Sequence, residues 1–187
     1  MRVVGGTARG RPLRAPRGAA TRPTSDRVRE AVFSMLTSLD RIDGAAVLDL
    51  FAGSGALGIE CLSRGAESAV LVDSSPDAVA AIRHNLGVLG PDRDRATVVR
   101  SDALRYLADA PRFDLVLADP PYDFGRWPEL LGLLAVRSGL LVAETGSPLD
   151  PGPGWETVKV KRYGGTVVCI AQPVIPVSVP QAEEGEL

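Results

Sequence analysis

Five short apolar runs alternate with helix-forming stretches from about residue 46 to residue 145, and this alternation limits the fold more than any other feature of the chain. The runs are AVLDLF, SAVLVD, ATVVRS, FDLVLAD and GLLVAE, which are too apolar on both faces for a half-exposed sheet. The stretches between them are GALGIECLSRG, SPDAVAAIRHNLGVLG, DALRYLADA and RWPELLGLLAVRSG. Strands that alternate with helices indicate a parallel sheet with helices on both faces.

The end of the chain predicts an addition to this sheet. Two β-rich runs surround Gly164 and Gly165, which is typical of a hairpin and would give an antiparallel pair at one edge. The sheet would then have seven strands. Residues 173–187 are rich in proline and acidic side chains, and we expect them to be partly disordered.

A helix is predicted near the start of the chain, where Thr24 and Asp26 are among the candidate caps. Arg27 and Arg29 lie off the apolar stripe of this helix, so we expect its first turn to carry arginines outward. The stripe consists of Val28, Ala31, Val32, Met35, Leu36 and Leu39.

Charge is distributed unevenly along the chain. Residues 1–30 contain eight arginines and two acidic residues, a net charge of +6, whereas the other 157 residues carry 13 basic and 21 acidic groups, a net charge of −8. A basic arm of this kind could neutralise nucleic-acid phosphates, or it could be a solubilising or disordered tail. We divide the chain into residues 1–40 (basic arm and helix), 41–172 (main domain) and 173–187 (tail).

Several classes of protein are disfavoured. No apolar stretch approaches the roughly 20 residues that span a bilayer, and the N-terminus lacks the apolar core of a secretion signal, so we expect a cytoplasmic protein. Cys61 and Cys169 lack metal-ligand spacing and indicate packed thiols rather than a metal site. His84 is the only histidine, and we expect it at the surface without a catalytic role.

A glycine-rich turn follows the first predicted strand. In VLDLFAGSGALGIE, Gly53, Gly55 and Gly58 match the pattern GxGxxG, in which the backbone turns tightly and approaches a ligand at a helix start. The next strand ends at Asp73, whose carboxylate could accept hydrogen bonds from both ribose hydroxyls of an adenosine. The pattern alone also fits a dinucleotide, or a tight turn without a ligand.

Asp49 favours one of these ligands over the other. A carboxylate inside the strand would repel a pyrophosphate but suits S-adenosylmethionine (SAM), which has an ammonium, a sulfonium and no phosphate. After the third strand, Ser101 and Asp102 could bind the adenine amino group, although Asp102 could equally cap the next helix. The neighbours that complete the predicted cofactor site are Phe51, Ser54, Ser74 and Ala103.

The fourth predicted strand ends in DPPY. If it lies beside the first strand, Asp119 comes close to the glycine loop. The Asp119 carboxylate and the Pro120 carbonyl could then hold the amino group of a nucleobase, and Tyr122 could stack on the base. The structural alternative is a proline turn in which Asp119 is a cap and Tyr122 packs.

The glycine loop, Asp73, SDA and DPPY together resemble a Rossmann-like SAM-dependent methyltransferase that acts on amino groups. With RVVGGTARGRPLRAP and TRPTSDRVREAVFSML, the chain to about residue 172 is similar to the bacterial 16S ribosomal RNA guanine-N2 methyltransferase family of the RsmD type. The resemblance implies SAM as cofactor and methylation of one guanine of ribosomal RNA, free or in an assembling small subunit. The residues then expected to contact RNA are Arg9, Arg11, Arg22, Thr24, Arg27 and Arg29.

Three other functions stay open. DPPY also serves adenine-N6 methylation of DNA or RNA, and only the family resemblance favours guanine. A nicotinamide-dependent dehydrogenase would use the same glycine pattern, but it favours an apolar residue at position 49 and needs a catalytic acid–base. A non-catalytic RNA-binding module is disfavoured by the intact DPPY.

Overall fold

The structure, a computed structural model, describes residues 1–17 and 26–174. The predicted Arg22 and Thr24 and residues 175–187 of the predicted tail lie outside the described residues, whereas Pro173, the first residue of that tail, belongs to a strand. The strands are β1 Ala46–Leu50, β2 Ser68–Asp73, β3 Ala96–Arg100, β4 Phe113–Ala118, β5 Ser138–Thr145, β6 Trp155–Tyr163 and β7 Thr166–Pro173. The α-helices are α1 Asp26–Ser38, α2 Ala56–Ser63, α3 Pro76–Asn85, α4 Ala103–Ala108 and α5 Trp127–Leu134, and a 3₁₀ segment covers Leu86–Arg95.

The strands form a seven-stranded sheet in the order β3-β2-β1-β4-β5-β7-β6. The first five strands are parallel, and β7 is antiparallel to both β5 and β6. The prediction of a mainly parallel Rossmann-like sheet with an antiparallel edge hairpin is confirmed. The strand order reverses between β1 and β4, and this is the position where such sheets bind ligands at their carboxyl edge.

Helices cover both faces of the sheet, as the apolar runs predicted. One face packs against α1, α2 and α3, and the other packs against α4 and α5. In β1, β2, β4 and β5, neighbouring residues alternate between these two clusters, so these strands are buried on both sides. The edge strand β3 differs from the prediction, because its residues are only half-buried or exposed.

The predicted helix over residues 75–90 is shorter than expected. It ends at Asn85 and continues as the 3₁₀ segment, in which Gly90 has φ 61°. The apolar face of this stretch is nevertheless buried along both pieces, since all four of its residues are less than 9% exposed: Val79, Ile82, Leu86 and Leu89.

The prediction that Arg29 points outward is wrong. Its side chain lies on the covered side of α1, and the residue is 1% exposed. Its Nη2 donates to the Arg2 carbonyl at 2.5 Å and to the Asp26 carboxylate at 2.7 Å. The cause is the N-terminal segment (residues 1–17), which covers a second side of α1 and also leaves Phe33 buried. At the far end of the predicted stripe, Leu39 is 37% exposed.

The N-terminal segment is a packed part of the molecule, so the interpretation of a disordered tail is wrong for residues 1–17. Val3, Ala8 and Leu13 are buried in the same core as α1 and α2. Within the described ranges, no helix is long and apolar enough to cross a membrane.

Candidate active site

The glycine loop leaves the carboxyl end of β1 and enters α2 through residues whose conformation or surroundings exclude larger side chains. Gly55 has φ 77°, in the left-handed region. At Gly58, an added Cβ would lie 2.9 Å from Leu71 Cδ2 and 3.1 Å from Asp49 Oδ2. The glycine at this position therefore lets the first turn of α2 approach the β1 carboxylate.

Phe51 begins the loop with φ 60°, which is unusual for a bulky residue and typically costs about 1–3 kcal/mol. Its ring meets Phe124 edge to face, with 5.2 Å between the ring centroids, and Phe124 meets Trp127 in the same way at 5.6 Å. These contacts hold Phe51 between the glycine loop and the segment after DPPY. Backbone strain compensated by tertiary contacts is typical of functional sites.

Asp49 lies directly beneath this loop and is 1% exposed. Its Oδ2 accepts a hydrogen bond from the Gly58 N–H at 2.8 Å. The pKa of Asp49 is raised to about 7, chiefly by burial; the nearby carboxylates of Asp119 and Asp73 add to the rise, and the Gly58 hydrogen bond opposes it. A buried carboxyl group of this kind would gain from a cation placed close to it.

Asp73 ends β2 beside the same loop. Its Oδ2 accepts from the Gly53 N–H and its Oδ1 from the Ser75 N–H, both at 2.8 Å. A carboxylate oxygen has a second acceptor position, so these bonds orient the group without using its full capacity. Ser74, also assigned to the cofactor site, is exposed next to it. Ribose binding by Asp73 stays a prediction.

The structure distinguishes the two roles considered for Asp102. Its carboxylate accepts from the Arg105 N–H at 3.0 Å and so caps α4. Ser101 donates its hydroxyl to the Asp102 carbonyl at 3.0 Å, and its N–H bonds the Asp73 carbonyl at 3.1 Å. Ala103 is buried at the start of α4. The capping role is therefore present, whereas adenine binding stays a prediction.

DPPY lies next to the glycine loop, as its prediction required. Leu50 pairs with Ala118 in the β1–β4 ladder, so Asp119 and Phe51 leave adjacent strands at the same edge. The effect of Asp119 on the pKa of Asp49 also indicates that their carboxyl groups are close. Pro120 is buried and the Asp119 side chain is half-buried.

Tyr122 is 53% exposed and lies toward the β5–β7 side of this edge. Its hydroxyl is 3.3 Å from Thr166 Oγ1, and its ring passes close to Gly146, where an added Cβ would lie 3.3 Å from Tyr122 Cδ1. The following turn is closed by a hydrogen bond from the Phe124 N–H to the Pro121 carbonyl at 2.9 Å. These contacts leave half of the tyrosine surface open to a ligand.

The predicted RNA-contact residues are divided in the structure. Arg9, Arg11 and Arg27 are exposed, whereas Arg29 is buried as described above. His84 is exposed, as expected. Across residues 1–17 and 26–174, no group of three or more histidine, cysteine or acidic side chains is placed to hold a metal ion.

Sequence reasoning missed Asn85, which connects the N-terminal segment to the glycine loop. The residue is 1% exposed. Its Nδ2 donates to the Arg14 carbonyl at 2.8 Å and to the Ser54 carbonyl at 2.9 Å, and its Oδ1 accepts from the Arg14 N–H at 2.9 Å. The available signal was a polar amide three residues after Ile82, on the apolar side of α3.

Sequence reasoning also missed two polar residues of α2 that bind the N-terminal segment. Glu60 is fully buried, and its carboxylate accepts from the Val4 N–H and from Arg64 Nε, both at 2.7 Å. Ser63 donates its hydroxyl to the Gly5 carbonyl at 2.7 Å and accepts from the Ala8 N–H at 2.9 Å. Two polar residues on an apolar helix thus fix the backbone of the N-terminal segment.

A doubly wound sheet with a glycine loop, two strand-end acids and DPPY at one edge defines a Rossmann-like methyltransferase. The model of the family described as Conserved hypothetical protein 95 matches residues 1–172, and the chain belongs to this family. YlbH of Bacillus subtilis strain 168 is 41% identical over 182 residues, which are 91% of this chain and 97% of that protein.

Two further similarities support this assignment. The ribosomal RNA small subunit methyltransferase D of Haemophilus influenzae is 32% identical over 174 residues, 88% of this chain and 89% of the relative. The solved structure of yhhF from Escherichia coli has a TM-score of 0.81 and 34% identity over 92% of this chain and 97% of that chain. The resemblance to the RsmD type is confirmed.

Proposed function

We propose that this small-subunit ribosomal RNA methyltransferase transfers a methyl group to the exocyclic N2 amine of a guanine in 16S ribosomal RNA. The observation that carries the proposal is the pairing of Leu50 with Ala118, because it brings the glycine loop and DPPY to adjacent strand ends. A methyl donor and an amino group held at these two ends would face each other.

The methyl donor is SAM, and the residues at the edge fit it. Asp49 offers a buried carboxyl group whose pKa is raised chiefly by burial, and SAM has an ammonium group and a sulfonium that could lie close to it. Asp73 is oriented by two backbone bonds and keeps acceptor capacity for ribose hydroxyls. When bound, SAM supplies an electrophilic methyl group. SAM has no pyrophosphate that the Asp49 carboxylate would repel, whereas a nicotinamide dinucleotide has one. This difference disfavours the dehydrogenase.

Asp119 and Pro120 would act on the amine. The lone pair of an exocyclic amine is delocalised into the base, so the free amine is a poor nucleophile. The Asp119 carboxylate and the Pro120 carbonyl would accept hydrogen bonds from its two N–H groups, hold the nitrogen in the attacking geometry and stabilise the positive charge that develops on it. Tyr122 would stack on the base, since half of its surface is exposed.

The RNA would approach across the basic N-terminal segment. Arg9, Arg11 and Arg27 are exposed and carry positive charge, whereas residues 31–187 have a net charge of −8. Arg22 and Thr24 stay in the proposal as RNA contacts from the sequence. Arg29 would support RNA binding only indirectly, because its hydrogen bond to the Arg2 carbonyl connects α1 to the N-terminal segment.

The test compares Asp119→Ala with Asp123→Ala, an exposed acid four residues further on that serves as the matched control. Small subunits from a strain that lacks the enzyme are incubated with labelled SAM. We expect Asp119→Ala to lower methyl transfer by about 10²- to 10³-fold, with calorimetric SAM affinity within about threefold of wild type. Full activity of Asp119→Ala would refute its role.

Mass analysis of the modified nucleoside tests the base. The proposal requires N2-methylguanosine from the wild type and none from Asp119→Ala. N6-methyladenosine would replace guanine by adenine in the proposal. SAM binding and RNA binding without any methylated product would support the non-catalytic module.

A further inference from the structure

The edge strand β6 carries an exposed basic stretch that the proposed function does not use. Lys159, Lys161 and Arg162 are all exposed. None of the three forms an ion pair within residues 1–17 and 26–174. Residues 157–163 contain no acidic side chain, although the chain beyond residue 30 has a net charge of −8.

The strand directions bring this stretch to the catalytic edge. Because β7 is antiparallel to both neighbours, β6 runs parallel to β5 and ends at Tyr163 on the same edge as β1 and β4. Thr166, the partner of Tyr163 across the hairpin, is 3.3 Å from the Tyr122 hydroxyl. Three strand spacings separate β4 from β6, a distance of about 14 Å.

The two lysines share a sheet face with the basic N-terminal segment. Lys159 and Lys161 pair with Ile170 and Val168, which are buried in the core that includes α1 and the N-terminal segment. The segment itself hydrogen-bonds to α2 and α3, whereas β6 is the edge strand beyond β5 and β7. Positive charge therefore lies on both sides of the catalytic edge, with the N-terminal segment toward α2 and α3 and β6 at the opposite end of the sheet.

We propose that β6 is a second RNA-binding surface, in which Lys159 and Lys161 bind phosphates of the substrate RNA on the side of the catalytic edge opposite the N-terminal segment. This inference rests on the proposed function. A base drawn out of its stack pulls on the backbone at both neighbouring phosphates, so contacts on both sides hold the nucleotide better than contacts on one side. Two exposed cations on one face, which form no ion pair within the described residues, fit a polyanion.

The test compares two double variants with equal loss of charge. Lys159→Gln with Lys161→Gln removes the proposed contacts, and the control, Arg41→Gln with Arg112→Gln, removes two exposed arginines near the amino ends of β1 and β4. Binding to small subunits from a strain that lacks the enzyme is measured from 50 to 200 mM salt. Thermal unfolding of each variant confirms that it is folded.

We expect the β6 variant to bind more weakly, with a salt slope smaller in magnitude by about 1.4 to 1.8, because two phosphate contacts are lost. KM for RNA should rise about tenfold, with kcat and SAM affinity unchanged. Arg162→Gln alone should leave the slope unchanged, because Arg162 lies on the other face of β6. The control should match the wild type.

An unchanged slope in the β6 variant would overturn the inference, while methylation by the wild type would leave the proposed function intact. An equal loss in both double variants would also overturn it, because the effect would then come from net charge. If the wild type neither binds nor methylates small subunits, the proposed function itself fails.

Discussion

The glycine loop (residues 51–58) and the N-terminal segment both depend on glycines, but for different neighbours. Gly58 lets α2 approach Asp49 at the ligand edge. Gly6 has φ 72°, and a Cβ there would overlap the Ser63 carbonyl. One glycine provides room next to a site for a ligand, and the other provides room for a neighbouring helix of the same chain. The comparison teaches that a glycine pattern such as GxGxxG reveals a loop in the sequence. A single glycine such as Gly6 does not reveal which helix packs against it.

Gly6→Ala should produce the largest effect. A Cβ that overlaps backbone, together with a positive φ, should destabilise the protein by about 3 kcal/mol or detach the N-terminal segment. Urea unfolding and proteolysis of the segment measure both outcomes. Gly10→Ala is the control, since Gly10 has φ 83° but nothing within 4 Å of the added Cβ, and it should cost only about 1–2 kcal/mol. Equal losses would show that close approach is unimportant.

Asn85→Ala should destabilise the protein by about 2 kcal/mol, because it leaves backbone groups of Arg14 and Ser54 without their buried partner. We also expect weaker SAM binding, since the Ser54 carbonyl belongs to the glycine loop. Urea unfolding and calorimetry are the measurements, and His84→Ala, at the exposed neighbouring position, is the control. Unchanged stability would refute the connection between the two regions.

Asp49 should make stability depend on pH. Its pKa is about 7 in the folded protein against an ordinary value of 3.8, so the folded state holds the proton more tightly. Its contribution is therefore greatest at about pH 4 and is lost as the pH rises to 7, by up to about 1.4 kcal/mol per pH unit. Urea unfolding of wild type and Asp49→Asn between pH 4 and 8 measures the difference. If the free energies of unfolding of the two proteins changed equally with pH, Asp49 would not be buried and protonated in the folded state.

Gly58→Ala should have the smallest effect on stability, within about 1 kcal/mol. Alanine favours a helix more than glycine does, and this gain offsets part of the cost of displacing the end of the buried Leu71 side chain, 2.9 Å from the added Cβ. SAM affinity should nevertheless fall about tenfold, because the same methyl group lies 3.1 Å from Asp49 Oδ2. Calorimetry measures the affinity for SAM. An unchanged affinity would show that Gly58 does not provide room for the ligand.

Much of the fold and of the candidate site followed from local patterns. Strands buried on both faces are mostly apolar, so β1, β2, β4 and β5 were visible in the sequence, and the two glycines between β-rich runs indicated the edge hairpin. Asp49, Asp73 and Asp119 were identifiable because each interrupts or ends an apolar run. Their adjacency followed from the general rule for doubly wound sheets, and the pairing of Leu50 with Ala118 confirmed it.

Contacts between distant segments were not predictable in the same way. Arg29 was expected at the surface because periodicity describes one face of a helix and carries no information on what covers the other faces. The bonds of Asn85 and Glu60 likewise depend on which backbone groups come within about 3 Å in the folded chain.

The sequence by itself determined the order of strands and helices, the glycine loop and the acids at the strand ends, because these features depend on neighbours along the chain. Only the tertiary structure decided that the basic N-terminal segment is packed, that Arg29 is buried and that the β6 lysines share its sheet face. These properties depend on packing and hydrogen bonding between residues far apart in sequence, and no local spacing encodes them.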